Sequence, residues 1–440
     1  MLSAFNIMKK TYDREVDNMK MRTFAVAAAL MILCLTPQAF AIEFDEMGGV
    51  EIHGFLSQGF IQSTDNNFFC DSADDGSFQF NEFALTFSKE LTEKLRMGIQ
   101  LIAYDLGDLG NDEVQIDWAF ADYRWRDWLG IRLGKTKLAF GLYNEIKNVD
   151  LLTPNVFMPL SIYNETWREA MTSVKGLGVY GSLPLGVMGS LSYNTSYGQN
   201  DFRPGGGESR LMADSMPNAL DLHFTAIDID SLWSAQILWD TFLSGLRVGA
   251  SYRRSVFDAD TTTALDGLTQ AQIDALGLPF TAGDHVFEAD ADSYTLSAEF
   301  IYGDLTVAAE FSEIEYDLNL TGIAHIDPFK SQGYYGSASY RFADWFQLAM
   351  YYSEYYRNKD DKDGDAIMLT GEQPDHRAWS KDFCLTTRFD ISDNWIIKLE
   401  GHAINGTGIL LGADAELDDD GNPIFEEDWV AGIAKITYTF

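Results

Sequence analysis

Alternation of apolar and polar residues is the dominant pattern along this chain. In the last segment, Gly432 to Phe440, the alternation places Ile436, Tyr438 and Phe440 on one face and ends on an aromatic residue. Because successive side chains of a strand point to opposite faces, these three residues are predicted to face outward from a terminal β-strand. A strand that ends in this way suits a closed barrel, where it pairs with the first strand; an edge strand of a soluble β domain is the alternative.

About sixteen such alternating segments, most of them of roughly ten residues, follow one another, and they are joined alternately by tight turns and by long polar loops. This arrangement is typical of an all-β, transmembrane antiparallel barrel with short periplasmic turns and long extracellular loops. A soluble sandwich would not alternate its loop lengths so regularly. The predicted strands are 50–62, 78–91, 95–106, 114–125, 129–142, 174–183, 186–197, 232–242, 246–257, 292–302, 305–317, 332–342, 346–358, 376–389, 395–407 and 429–440.

The N-terminal residues 1–41 predict an over-called start followed by a secretory signal peptide. Lys20 and Arg22 precede the apolar run 24–35, and the small-residue site Ala39-Phe40-Ala41 follows it. The run is too short to span a membrane as a helix. Cleavage after Ala41 leaves 42–440 as a single barrel domain, in which strands rather than helices must cross the bilayer.

Charge and cysteine content narrow the class further. The full chain has 31 basic and 67 acidic side chains; removal of 1–41 leaves 26 and 64, a net charge of about −38. So acidic a chain excludes a nucleic-acid partner held by phosphate contacts. Cys70 is expected in a loop and Cys384 in a strand, so a disulfide between them is not expected.

The third long loop, about 143–173, differs from the others because it is apolar and aromatic. Val156, Phe157, Leu160, Tyr163 and Trp167 would not be stable in water. The loop therefore needs a surface to pack against, and the inner wall of the barrel offers one.

Around this loop the chain resembles Gram-negative trimeric porins related to the phosphate-selective group. The sequence reads G-K-T-K-L-A-F-G-L-Y-N over 134–144, followed by Pro154 and Pro159 and then by Tyr163 and Arg168. The resemblance implies a water-filled, sixteen-stranded barrel, usually a homotrimer, with the third loop folded inward as the constriction. The arginine ladder of phosphate-specific members is not evident, so a general porin is expected. Candidate constriction residues implied by position are Lys147, Asp150, Glu165, Arg168 and Glu169.

Two other sets of residues are candidates for function. The C-terminal Ile436, Tyr438 and Phe440 resemble the assembly signal of outer-membrane barrels. Charged residues on lumen-facing positions of the strands would line the pore wall, where rings of charge select solutes. Basic wall residues opposite an acidic loop would set up a transverse field, although simple solvation of these side chains is the alternative. The wall candidates are Arg132, Arg247, Arg253, Arg341, Arg388, Lys398, Asp117, Glu299 and Glu400.

The acidic loop 360–365 is a weak candidate for calcium binding through Asp361, Asp363 and Asp365, because alternate carboxylates around a glycine can wrap a hard cation. A solvated surface loop is the alternative. No other metal and no cofactor is expected.

The expected function is passive diffusion of small hydrophilic solutes and ions through an outer-membrane channel, without catalysis. No metal-ligand histidine pair and no nucleophile elbow occurs in the sequence. The alternatives are a substrate-selective anion or organic-acid channel, an outer-membrane barrel hydrolase, and a surface adhesin. Expected partners are outer-membrane lipid, lipopolysaccharide and the barrel-assembly machinery.

Overall fold

The computed structural model describes residues 49–73, 75–200, 203–214, 220–277, 280–283, 285–366, 374–412, 415–417 and 423–440. The predicted signal peptide lies outside the described residues. Within them, sixteen antiparallel strands form one closed barrel in which each strand pairs with its neighbours in sequence. The prediction of a sixteen-stranded barrel is therefore confirmed.

Short and long connections alternate between successive strands around the barrel. They are β1 (Glu51–Ser63), β2 (Phe80–Thr92), β3 (Leu95–Leu106), β4 (Gln115–Arg126), β5 (Leu129–Lys137), β6 (Ser173–Pro184), β7 (Ser190–Gln199), β8 (His223–Asp240), β9 (Leu246–Thr262), β10 (His285–Tyr302), β11 (Leu305–Leu320), β12 (Ala324–Ala343), β13 (Phe346–Tyr356), β14 (Trp379–Asp390), β15 (Trp395–Asn405) and β16 (Asp428–Thr439).

Short elements occupy the connections. In the described ranges, the α-helices are α1 (Arg168–Thr172), α2 (Gly207–Asp214) and α3 (Gln270–Ala275), and 3₁₀ turns cover Glu165–Trp167, Gly186–Met188 and Asp375–Ala378. A hairpin of Glu416–Leu417 and Pro423–Ile424 lies in the last long loop. Among the described residues, no helix has the length and apolar character needed to cross a membrane.

The first and last strands close the barrel. Phe55 to Ser63 of β1 pair with Thr439 to Ala431 of β16. The terminal Phe440 continues this ladder, because its N–H donates to the Gly54 carbonyl and its carbonyl accepts from the Gly54 N–H, both at 3.0 Å. Closure gives every strand two partners, as hydrocarbon surroundings require.

The two faces of the wall follow the predicted alternation. Outward side chains such as Leu177, Leu296 and Leu399 are exposed, whereas inward ones such as Thr295 and Thr386 are buried. Aromatic side chains gather beside the short turns, as in the pairs Trp125–Trp128 at 5.5 Å and Trp395–Tyr438 at 4.8 Å between ring centroids. Such rings are typical of a membrane–water interface.

Strands β8 to β12 are longer than the sequence indicated. For example, β8 begins at His223 instead of 232, and β10 at His285 instead of 292. The added segments carry exposed outward acids such as Asp228, Asp258 and Glu288. The apolar alternation used for the prediction is therefore absent from these segments, because a strand that extends above the bilayer needs no apolar outer face.

Strand β5 is shorter than predicted and ends at Lys137 instead of 142. The segment 138–142 leaves the wall and begins the third long connection, residues 138–172, which we call loop 3. No disulfide joins Cys70 and Cys384, and both thiols are buried. The expectation that these cysteines do not pair is thus confirmed.

We expect Gly54→Ala to weaken closure of the barrel. A Cβ at Gly54 would lie 2.6 Å from the Ala84 carbonyl oxygen and 2.6 Å from the Phe440 ring, and such overpacking costs about 1–3 kcal/mol. The matched control is Gly432→Ala on the same strand pair, where a Cβ would meet nothing within 4 Å. The folded, unboiled band in SDS gels should convert at a lower temperature for Gly54→Ala only; equal conversion temperatures would contradict the prediction.

Candidate pore constriction

Loop 3 folds into the barrel because its apolar residues pack inside the wall. The Phe157 ring stacks on Phe80 of β2 at 5.3 Å and meets the edge of Phe68 at 5.9 Å. Leu160 and Trp167 are buried in the same cluster. The predicted inward course of this connection is what its composition requires.

A chain of seven alternating charges ties loop 3 to the wall. Four of its members, Lys147, Asp150, Glu165 and Arg168, belong to loop 3, and the wall supplies the rest. We call the seven residues the loop 3 charge chain. Its ion-pair distances are 3.2 Å for Lys147–Glu165, 3.4 Å for Glu165–Arg168, 2.7 Å for Arg168–Glu82, 2.6 Å for Glu82–Lys435, 2.9 Å for Lys435–Asp150 and 3.0 Å for Asp150–Lys398.

Each charge of this chain touches an opposite charge, which is the condition for holding ions away from water. Burial alone would raise the pKa of Asp150, but Lys398 and Lys435 outweigh it and hold that pKa well below its usual range. Burial lowers the pKa of Lys147, and the neighbouring Glu165 opposes this effect. Asp150 therefore remains ionised as the pH falls through the ordinary range of aspartate titration.

The middle of loop 3 is held by its backbone. Glu400 accepts hydrogen bonds from the Val156 and Phe157 N–H groups at 2.8 and 3.1 Å. Lys398 donates to the Asn155 carbonyl at 2.8 Å. Arg388 donates to the carbonyls of residues 150, 151 and 153 at 2.9–3.2 Å. These wall residues replace the hydrogen bonds that the irregular loop would otherwise make with water.

The start of loop 3 is held on the opposite wall. Gly141 donates its N–H to Ser251 at 2.9 Å and accepts from Gln236 at 2.5 Å. It has a φ of +55°, and a Cβ there would lie 2.4 Å from the Tyr163 hydroxyl oxygen. Glu310 of β11 accepts from the Leu142 N–H at 2.8 Å and from the Tyr163 hydroxyl. Glycine is therefore needed where the chain turns from the wall into the lumen.

The structure changes the interpretation of the constriction candidates. Lys147, Asp150, Glu165 and Arg168 are buried in ion pairs instead of facing water, and Glu169 pairs with Arg203 at 2.6 Å. At these residues the structure does not place an acidic loop opposite a basic wall across the channel. The physical reason is that a charged loop packed on a charged wall lowers its energy by pairing directly.

The remaining wall candidates lie at separate places on the inner face. Most are paired with neighbouring strands or turns, so they do not form one ring. The pairs are Arg132–Asp122 at 3.3 Å, Asp117–Lys137 at 2.7 Å, Arg247–Asp240 at 2.8 Å, Arg341–Asp390 at 2.8 Å and Arg388–Asp390 at 2.7 Å; Glu299 accepts from Tyr143 at 2.8 Å, and Arg253 is buried on β9.

Sequence reasoning missed three residues of this region. Glu82 and Lys435 complete the loop 3 charge chain, and Glu145 is the loop 3 carboxylate that remains exposed. The protein around the Glu145 carboxylate removes part of its hydration and so raises its pKa, while the positive charges of Arg132 and Lys137 oppose this shift. The alternation of β2 and β16 placed Glu82 and Lys435 on the inner face and could have found both; nothing local distinguishes Glu145.

Among the described residues, one group of three side chains has metal-ligand atoms within 4.8 Å of one another, namely Cys384, Glu400 and His402. His402 is already hydrogen-bonded to Asp382 at 3.0 Å and to Glu400 at 3.1 Å, and Glu400 also holds loop 3. The three predicted calcium ligands form no such group, and Asp361 instead accepts from the Ala366 N–H at 3.0 Å.

A closed barrel with a loop fixed in its lumen defines the class, an outer-membrane β-barrel channel. The sequence model of the Gram-negative porin family matches residues 25–374, so the chain belongs to the Gram-negative porin family. It is accordingly a multi-pass protein of the outer membrane and a channel for passive diffusion of solutes. No curated protein sequence matches the chain.

Solved structures with a similar fold are outer-membrane proteins. OmpT of Vibrio cholerae is 11% identical, with a TM-score of 0.53, over 89% of this chain and 98% of its own. OmpF of Salmonella typhi, solved with daunomycin, is 16% identical, with a TM-score of 0.52, over 91% and 100%. The anion-selective porin of Comamonas acidovorans is 13% identical, with a TM-score of 0.50, over 89% and 99%. At these identities the likeness is one of fold.

We expect Asp150→Asn to loosen loop 3 and raise single-channel conductance. The change leaves Lys398 and Lys435 buried without their shared carboxylate, and breaking a buried pair costs about 3–5 kcal/mol. Because the native pKa of Asp150 is depressed, its contribution is fully present above the unfolded pKa of about 4 and is lost only at more acidic pH. At pH 7 the single-channel conductance should therefore rise and the thermal stability of the barrel should fall.

The matched control is Asp127→Asn, which removes an exposed pair with Arg124 at 3.4 Å. Pairs of this kind contribute little. If Asp150→Asn and Asp127→Asn conduct alike and are equally stable, the loop 3 charge chain does not hold the constriction.

Proposed function

We propose that the protein is a general diffusion porin for small hydrophilic solutes and ions and that it catalyses no reaction. The observation that carries this is loop 3, which narrows the lumen and is held to opposite walls by buried ion pairs and backbone hydrogen bonds. A constriction of fixed shape sorts solutes by size and charge without a moving part.

The hydrolase alternative has less support. Cys384 is buried and His402 bridges two carboxylates, so neither meets a solute in the lumen. We infer that the two residues are structural. The adhesin alternative remains for electrical measurement to test, since an adhesin need not conduct.

Ion preference is proposed to be set by exposed charges instead of by the loop 3 charge chain. Glu145 is exposed and lies close enough to Arg132 and Lys137 to interact with both charges, so these residues are proposed as the nearest equivalent of the transverse field. The predicted constriction residues are therefore proposed to shape the pore, while Glu145 is proposed to set its preference between cations and anions. A selective anion channel would require Arg132 and Lys137 to dominate over this carboxylate.

Assembly as a homotrimer is proposed to use the outer face of β2 to β5. A groove of about 540 Å³ there is lined by the small residues Gly98, Ala119 and Ala121, and by Met97 and Leu133. Small residues on a lipid-facing surface allow close approach of another protein wall. Lipopolysaccharide and the barrel-assembly machinery are proposed as further partners, and 42–440 as the mature domain.

We expect Glu145→Gln to shift the reversal potential of the refolded protein toward anion preference in a planar bilayer under a KCl gradient. One charge acting on an ion at ~4 Å in water is worth about 1 kcal/mol, or up to roughly fivefold in the cation-to-anion permeability ratio. Glu93→Gln in a periplasmic turn is the matched control. An unchanged potential would remove Glu145 from the selectivity site, and the absence of any conductance would remove the porin itself.

We also expect deletion of Phe440 to reduce the amount of protein assembled in the outer membrane. The residue supplies two backbone hydrogen bonds to Gly54 and its ring stacks on Tyr438 at 6.3 Å. Refolding in detergent should be affected less, because the proposed assembly signal is read in the cell. Normal surface levels would argue against that signal.

A further inference from the structure

Two extracellular connections that begin on opposite sides of the barrel contact each other. One joins β7 to β8 and contains α2, and the other joins β15 to β16 and contains residues 406–412. In the ring of sixteen strands, β8 and β16 are eight places apart, so the two connections leave the wall at opposite points. A contact between them must therefore cross the mouth of the barrel.

The last residue of α2 makes this contact. The Asp214 carboxylate accepts a hydrogen bond from the Gly412 N–H and lies 3.9 Å from Nη2 of Arg377. A Cβ at Gly412 would lie 3.2 Å from both carboxylate oxygens, so the two segments are in close contact. Asp214 and Gly412 are 198 positions apart in the sequence. We call α2 together with residues 406–412 the extracellular bridge.

Two arginines fix one end of the extracellular bridge. Arg357, which follows β13, donates to the carbonyls of Gly408 and Leu410 at 2.8 and 3.3 Å. Arg377, which is buried before β14, donates to the carbonyls of Thr407 and Leu410 at 3.0 and 2.9 Å. The three side chains that follow Gly408 are buried. Hydrogen bonds from charged donors are stronger than neutral ones, so this segment has one fixed course.

The other end of the extracellular bridge rests on loop 3. Gly207, at the start of α2, packs so closely that a Cβ there would lie 2.4 Å from the Thr166 carbonyl oxygen. Glu169 of loop 3 pairs with Arg203 at 2.6 Å, and the Arg203 carbonyl accepts from the Ser209 hydroxyl of α2 at 2.8 Å. The bridge is therefore anchored at both ends, on loop 3 and on the far rim.

The position of Asp214 is not explained by the needs of the helix. Asp214 is the last residue of α2, and a negative charge at the C-terminal end of a helix is unfavourable because the helix dipole is negative there. Its contacts with Gly412 and Arg377 offset this cost. The carboxylate therefore serves the contact across the mouth instead of the helix that carries it.

We propose that the extracellular bridge is a second size filter, which divides the entrance and limits the solutes that reach loop 3. A span fixed at both ends excludes solutes wider than the gaps beside it, and pore width is one of the terms that set selectivity. Asp214 is a positioning residue that contacts no solute. The proposal rests on the proposed porin function and extends it, because exclusion by size then begins at the mouth.

The experiment measures which polyethylene glycols enter single channels from each side of a planar bilayer, since a polymer that enters lowers the KCl conductance. Biotin on Asp363→Cys, at an exposed position, lets streptavidin identify the extracellular side, and the native thiols of Cys70 and Cys384 are buried. We expect Asp214→Ala to admit larger polymers of a graded series from the extracellular side. The size limit from the periplasmic side should not shift.

Two further variants complete the test. Asp108→Ala makes the same change at an aspartate that contacts α2 from its own side of the mouth, through Arg210 at 2.6 Å, and it should leave both size limits unchanged. Gly412→Ala keeps every charge and crowds Asp214, so it tests the contact even if Asp214→Ala fails to fold. It should shift the extracellular limit in the same direction by a smaller step.

The possible outcomes separate the two proposals. Conducting channels whose size limits are unchanged in Asp214→Ala and Gly412→Ala would overturn the extracellular bridge as a filter and leave the porin proposal standing. Equal shifts from both sides would also overturn it, because they would indicate a general loosening of the barrel. A shift as large in Asp108→Ala would assign the effect to α2 alone. A wild type that conducts no ions would overturn the porin proposal and the filter with it.

Discussion

The constraint on which this structure depends is that no backbone N–H or C=O may face hydrocarbon unpaired. Sixteen strands meet it only as a ring, so the pairing of β1 with β16 is as necessary as any other pair. Closure creates a lumen, and the lumen gives the apolar loop 3 a wall to pack against. The inner face must then supply polar partners for an irregular segment that is buried in protein, and this requirement explains why so many wall charges point at loop 3.

The loop 3 charge chain meets that requirement with a continuous series of ion pairs. Seven ions alternate in sign over distances of 2.6–3.4 Å, and their residues come from β2, loop 3, β15 and β16. Removing any inner member leaves its two neighbours, which carry the same charge as each other, without the counter-ion that they share, so the chain behaves as one unit. Apolar packing around Phe157 would hold the loop near the wall, but directional ion pairs fix its position along the wall. The shape of the constriction is thus set by residues that do not contact solute.

Much of the fold could be predicted from the sequence, because alternation reports directly on which face of a strand meets lipid. The same rule failed at the extracellular ends of β8 and β10, where outward acids such as Asp228 and Glu288 face water above the bilayer. The inward course of loop 3 could be predicted from Phe157 and Trp167. Its partners could not, because pairing of Asp150 with Lys398 and Lys435 joins residues more than two hundred positions apart. Which charges stay exposed, as Glu145 does, depends on those pairings.

The contact between β1 and β16 also has a consequence for the order of folding. Every other strand pair in the barrel joins neighbours along the chain, whereas this one joins the two ends of the described sequence. The entropy lost on closing so long a loop is recovered only when the last ladder forms. Until then the sheet has two unpaired edges, each able to pair with a strand of another molecule. The nascent sheet is therefore most exposed to aggregation until the ladder between β1 and β16, beside Phe440, has formed.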